Sequence, residues 1–169
     1  MAKAEKAITP FAPGDALLDA FDTNANITRY LIEGIDDEAW RGEPPGGKGR
    51  TIAAIVAHMH NVRVMWLKAS AKDSAIPEQL DRHSVTRADA LAALAESAAT
   101  LHAVIAASLA AGGRVKGFKP DVAGFVGYLI AHDAHHRGQI TTLARQLGHP
   151  ISQKTMFGMW EWNSRRAPR

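Results

Sequence analysis

The chain contains no cysteine. Disulfide bonds, thiolate nucleophiles and cysteine-bound zinc are therefore excluded, and any metal must be held by histidine, aspartate or glutamate. The sequence also lacks an alternation of apolar and polar residues long enough for a convincing β-strand. It has 169 residues, 46% of them hydrophobic, which fits a single all-α domain spanning residues 1–169.

Signals for export or membrane insertion are also missing. The N-terminal segment has scattered charges instead of the apolar core of a signal peptide, and we find no stretch of about 18 uncharged apolar residues. The net charge is only +3, and the basic residues form no stripe with interleaved aromatics. We therefore expect a cytoplasmic protein that binds neither nucleic acid nor a membrane, with residues 1–13 and 164–169 loosely ordered.

Apolar periodicity predicts four long helices, with Thr51 and Thr86 as N-caps of the second and third. The four helices are predicted over residues 15–35, 51–71, 86–111 and 120–147. A segment rich in Met, Phe and Trp, residues 151–162, predicts a short turn or helix across the bundle. Together these features indicate a four-helix bundle with a long connection between the second and third helices and a short C-terminal extension.

Histidines on the second and fourth helices predict a metal site. His132 and His136 are four residues apart, about 40° around a helix, and both lie near the apolar stripe, whereas His135 projects about 120° away from it. On the second helix, His58 lies about 70° from the centre of the apolar face and His60 about 130°, so His58 is the better third ligand. Three imidazoles without a carboxylate suit zinc or nickel, although a lone buried histidine is more often a hydrogen-bonded core residue.

Several other polar residues could serve either the site or the structure. Asn24 and Thr28 interrupt the apolar stripe of the first helix, where one of them could hydrogen-bond substrate or metal-bound water, or serve only local capping. Arg63 could receive an anionic group of the substrate or form a salt bridge inside the bundle. His102 is expected to be a hydrogen-bonded core or interface residue and not a fourth ligand. Gln139 could support a metal ligand or be an ordinary polar helix residue.

Two more groups complete the predictions. Asp133 and Arg137 are four residues apart, which favours a helix salt bridge or contacts behind the metal ligands. A set of large apolar residues is expected to pack in the core and to form a dimer contact, ahead of a role in stacking on a ligand. This set comprises Trp40, Trp66, Met156, Phe157, Met159, Trp160 and Trp162.

Two stretches carry a resemblance to a known family. The segment from Arg50 to Met59 with the following Arg63 and Trp66, together with the run from His132 to Ile140, resembles the DinB/YfiT-like superfamily of metal-dependent enzymes. This superfamily is distinct from the DNA polymerase that shares its name. The resemblance implies a four-helix bundle, often a homodimer, in which His58, His132 and His136 bind a divalent metal ion, with zinc or nickel expected first.

The resemblance also implies a type of chemistry. Members of the superfamily include thiol S-transferases, isomerases that use low-molecular-weight thiols, and metal hydrolases. We therefore expect a metal-dependent enzyme of thiol S-transferase or hydrolase type, which uses the three-histidine metal to activate a small thiol or water. The alternative is a non-catalytic stress-response protein that binds a metal or a small ligand on the same fold.

Overall fold

Capping residues define where the long helices begin. The structure is a computed structural model that describes residues 10–166. The hydroxyls of Thr51 and Thr86 accept hydrogen bonds from the backbone N–H groups of Ala54 and Asp89, so both predicted caps are confirmed. Over the described residues the helices are α1 (Pro13–Glu33), α2 (Asp37–Trp40), α3 (Ile52–Ser70), α4 (Arg87–Ala110), α5 (Val122–Gln146), α6 (Gln153–Gly158) and α7 (Trp162–Arg165).

The four long helices pack as the predicted bundle. Helix α1 contacts α4 and α5, and α3 contacts the same two helices. One cluster of buried side chains surrounds Met59 and Ile140, and a second surrounds Phe21 and Phe125. No strand occurs between residues 10 and 166, so the prediction of an all-α bundle is confirmed.

Several boundaries and short elements differ from the predictions. Asp121, predicted in the first turn of the fourth helix, is instead the N-cap of α5, and α2 was not predicted. Residues 151–162 contain α6, as expected. The structure places Ser164 and Arg165 in α7, where the guanidinium of Arg165 lies 3.4 Å from the ring centroid of Tyr30. Residues 1–9 and 167–169, expected to be loosely ordered, lie outside the described residues.

Helix α4 has a high mean hydropathy, although Glu96 lies in its middle. By length and composition it is apolar enough to cross a membrane, because alanines fill the positions between its leucines. One face of the helix packs against α1 and α3. A single bundle helix of this composition is weak evidence for a membrane span.

The N-cap of α5 should contribute measurably to stability, because α5 carries two of the candidate metal ligands. The Asp121 carboxylate accepts a hydrogen bond of 2.9 Å from the backbone N–H of Gly124. Replacing Asp121 with alanine should lower the free energy of unfolding by about 1 kcal/mol in urea titrations. The exposed loop residue Asp73, replaced in the same way, is the control and should change stability little. Equal effects of the two substitutions would contradict a capping role.

Candidate metal centre

The bundle brings three imidazole rings to one point. Helix α3 supplies His58, and successive turns of α5 supply His132 and His136; one nitrogen from each ring lies within 4.8 Å of the others. The Nε2 atoms of His132 and His136 are 3.1 Å apart. Two nitrogens bound to one tetrahedral zinc ion at ~2.0–2.1 Å are separated by about 3.3 Å. The distance between the two Nε2 atoms is thus close to that of a metal site.

Contacts to Nδ1 of His136 and His132 leave their Nε2 atoms to face the centre of the cluster. The amide oxygen of Gln139 accepts a 2.8 Å hydrogen bond from Nδ1 of His136, which leaves Nε2 of His136 unprotonated. Nδ1 of His132 lies 3.9 Å from Oδ1 of Asp133, too far for a hydrogen bond, but the negative charge favours the proton on that nitrogen. Two lone pairs 3.1 Å apart repel each other unless a cation or a proton lies between them. The donor set therefore fits a divalent metal.

The surroundings favour the neutral form of two of the three ligand rings. Burial lowers the pKa of His58 to about 4, and the positive charge of Arg50 contributes in the same direction. Burial also lowers the pKa of His136, although its hydrogen bond to Gln139 opposes that shift. Because metal ions bind neutral imidazole, these two ligands need not lose a proton at neutral pH before they bind a metal.

A buried ion pair lies directly behind the ligands. The guanidinium of Arg63 on α3 donates a 2.7 Å hydrogen bond to Oδ2 of Asp133, and the two side chains are 3% and 2% exposed. Burial by itself would raise the pKa of Asp133, but Arg63, the neighbouring His132 and Arg137 hold that pKa at about 2. Asp133 is therefore ionised and connects His132 to the core of the bundle.

Two further polar residues extend this network to α1. The Asn24 amide nitrogen donates to Oδ2 of Asp133, while its oxygen accepts a hydrogen bond from Arg137; both distances are 2.8 Å. Arg137 also donates to the hydroxyl of Thr28. Asn24 and Thr28 thus have partners within the network, which supports a structural role more than contact with substrate. Arg63 forms the internal salt bridge that was one of its two predicted roles.

The position of Asp133 on the apolar stripe of α5 indicates that it is buried. Leu129, Asp133, His136 and Ile140 repeat at intervals of four, three and four residues, and all four are buried. A charged residue at such a position needs a buried partner of opposite charge. The sequence prediction paired Asp133 with Arg137 on the same helix, whereas its shortest ion-pair contact comes from Arg63 on α3.

The remaining histidines lie outside the cluster, one of them not as predicted. His60, expected to face away from the core, is fully buried; its ring bonds the Ser97 hydroxyl and the Glu78 carbonyl oxygen, because the connection before α4 covers that side of α3. His102, expected to be a hydrogen-bonded core or interface residue and not a fourth ligand, bonds Asp22 of α1 and lies outside the cluster; its side chain is 42% exposed. His135 is exposed as predicted, with its ring centroid 5.0 Å from that of His136.

A groove of about 660 Å³ runs beside the cluster. Its wall includes Gln139, which holds His136, and His135, whose ring contacts His136. Arg50, which also borders the groove, precedes the first turn of α3. The volume is within the range of small-molecule sites. The groove therefore offers space for a small ligand next to the candidate ligands.

The fold and the three inward imidazoles define an all-helical candidate metalloprotein, and the comparisons identify its family. The model of the DinB family matches residues 9–166, so the chain belongs to that family. It is also similar to the crystal structure of a protein from Exiguobacterium sibiricum 255-15 described as a candidate DinB family member. That match has a TM-score of 0.58 and 21% identity, and covers 87% of this chain and 99% of the other. No curated protein matches the chain.

The ion pair between Arg63 and Asp133 predicts a large loss of stability when one partner is neutralised. Asp133→Asn leaves the buried guanidinium of Arg63 without its countercharge, so the free energy of unfolding should fall by about 3–5 kcal/mol. Urea unfolding of the metal-free protein measures this loss. Asp73→Asn, at an exposed loop position, is the matched control. A loss for Asp133→Asn as small as that of the control would show that the pair does not stabilise the bundle.

The bond from Gln139 to His136 predicts an effect on metal affinity without loss of a ligand. Gln139→Leu removes the acceptor that orients the ring, so affinity for zinc should fall roughly 10–100-fold. Competition with a zinc-binding dye measures the affinity. Gln146, which borders the same groove, provides the control substitution Gln146→Leu. Unchanged affinity in the Gln139 variant would contradict the orienting role.

Proposed function

We propose that this chain is a divalent-metal-dependent enzyme of thiol S-transferase or hydrolase type. The observation that carries the proposal is the convergence of His58, His132 and His136, with one nitrogen of each within 4.8 Å of the others. Three neutral nitrogen donors without a carboxylate favour zinc or nickel over magnesium or calcium. Three protein ligands are also the usual number in catalytic zinc sites, which leave one position for water or substrate.

A divalent metal at this site would lower the pKa of a water or thiol that it binds and so provide a nucleophile near neutral pH. Two neighbouring side chains contact the candidate ligand rings on the side away from the metal position. Gln139 keeps the proton of His136 on Nδ1, and the negative charge of Asp133 lies 3.9 Å from Nδ1 of His132. Since the chain has no cysteine, the sulfur of a transferase reaction must come from a small-molecule thiol.

The proposed partners follow from the same site. The groove beside His135 and Gln139 has room for a small thiol or a small electrophile. A homodimer and a cytoplasmic location remain predictions; Phe157 and Trp160, 70% and 77% exposed, form an apolar surface on which a second copy could pack. Binding to nucleic acid is not part of the proposal.

Metal analysis tests the site itself. Protein loaded with zinc and freed of excess should contain one zinc ion per chain, and His136→Ala should lose most of it. His135→Ala is the matched control, because it removes a neighbouring histidine that lies outside the cluster. Plasma emission spectrometry measures the stoichiometry. Absence of zinc from the loaded wild type, or equal loss in both variants, would contradict the proposed site.

Activity assays then separate the two reaction types and the non-catalytic alternative. Zinc- and nickel-loaded protein is incubated with low-molecular-weight thiols and an electrophile, with and without the thiol. Product that requires the thiol and disappears in His136→Ala supports an S-transferase. Hydrolysis without any thiol supports a hydrolase. Loaded protein that is inactive in every combination would favour a binding protein on the same fold.

A further inference from the structure

Arg50 occupies an unusual position between two grooves. It lies in the loop just before α3 and is exposed to solvent. It borders the groove of about 660 Å³ that contains His135 and Gln139. It also borders a second groove, of about 430 Å³, which shares Gly49 and Arg50 with the first. A ligand in either groove would therefore meet the Arg50 side chain.

The second groove is positively charged. Arg41, Arg50 and Arg82 line it, with Glu43 as the carboxylate among its lining residues. Arg41 is already engaged, because it donates hydrogen bonds of 2.8–3.1 Å to the backbone carbonyls of residues 83–85. An excess of guanidinium groups in a concave surface attracts anions.

The Arg50 guanidinium is available to a ligand. Within residues 10–166 it forms neither a hydrogen bond nor an ion pair, whereas Arg82 donates to the ring of His83. Arginine presents parallel N–H groups that match the two oxygens of a carboxylate. The side chain is thus free to bind a carboxylate without losing an internal partner.

Arg50 also lies at a suitable distance from the candidate metal ligands. Ile52, the first residue of α3, follows Arg50 by two residues and lies about 9 Å from His58 along the helix axis. Gln139, which borders the same groove as Arg50, bonds Nδ1 of His136. A short molecule with one end near the three imidazoles could therefore place an anionic end at Arg50.

We propose that Arg50 forms a subsite for the anionic group of the substrate, of the carboxylate class, while the reactive end of that substrate lies at His58, His132 and His136. This inference rests on the proposed function, since it needs a metal to bind the other end. It makes Arg50 a residue that determines specificity and leaves the reaction itself to the histidine cluster.

Matched thiols with and without a carboxylate test this subsite. The full-length protein is loaded with cobalt(II), and its visible absorption is titrated with 3-mercaptopropionate or with the uncharged 2-mercaptoethanol. In Arg50→Gln, the dissociation constant for 3-mercaptopropionate should rise about tenfold and that for 2-mercaptoethanol less than about twofold, because only the first contains the carboxylate. Arg50→Lys should recover part of the difference, since it keeps the charge but loses the two-pronged geometry.

The control is Lys68→Gln. It removes the same charge from an exposed position near the far end of α3, roughly 25 Å from Arg50 along the helix. It should leave the affinities for both thiols unchanged. Circular dichroism and cobalt content establish that each variant is folded and loaded.

The outcomes separate this inference from the proposed function. Failure of the wild type to bind cobalt, or of either thiol to bind the loaded protein, would overturn the metal chemistry and the subsite with it. Binding of both thiols with equal losses in Arg50→Gln would overturn only the subsite. A preference for 3-mercaptopropionate that persists in Arg50→Gln would also overturn it, because the carboxylate would then bind elsewhere.

Discussion

The buried ion pair between Arg63 and Asp133 connects the bundle to its candidate metal centre. Asp133 directly follows His132 on α5, and Arg63 lies on α3, one turn and a residue beyond His58. Asn24 joins the same carboxylate oxygen from α1, so three helices meet at one atom. Burying these charges is costly, and the cost is offset because each acquires a partner of opposite charge or a hydrogen bond. The arrangement ties the register of α3 to that of α5, and so places His58 opposite His132 and His136.

Burial and a nearby positive charge favour the neutral form of two of the candidate metal ligands. Burial lowers the pKa values of His58 and His136, and the nearby Arg50 adds to both shifts. The ionised Asp133 balances Arg63 and Arg137 behind the site, while Arg50 remains on the open side facing the groove. The charged side chains around the site therefore have two consequences for binding. They favour imidazoles that can bind a metal without first releasing protons, and they leave one cation where an anionic ligand could reach it.

Much of the fold and of the histidine cluster could be predicted from local patterns, and the exceptions have physical reasons. Helical periodicity separated His132 and His136 from His135, because α5 has one buried face. The same reasoning failed for His60, because the connection before α4 covers a second side of α3. A helical wheel that assumes one buried face does not predict a second one. His102 forms a hydrogen bond with Asp22 and stays outside the histidine cluster, as expected. Asp133 was recognisable as a buried charge from its spacing, but the choice of Arg63 as its main partner depends on how α3 packs against α5. The position of Arg50 between two grooves depends on the loop before α3 and has no periodic signal.

We propose that Nε2 of His132, Nε2 of His136 and a ring nitrogen of His58 bind one divalent metal ion. A crystal structure of the zinc-loaded protein, with anomalous diffraction recorded on both sides of the zinc edge, tests this arrangement. We expect one strong anomalous peak within about 2.0–2.1 Å of a nitrogen from each of the three rings, with Nδ1 of His136 still bonded to Gln139. A zinc ion bound through His135, or at Asp36, Glu38 and His149 with the three-histidine cluster empty, would contradict it.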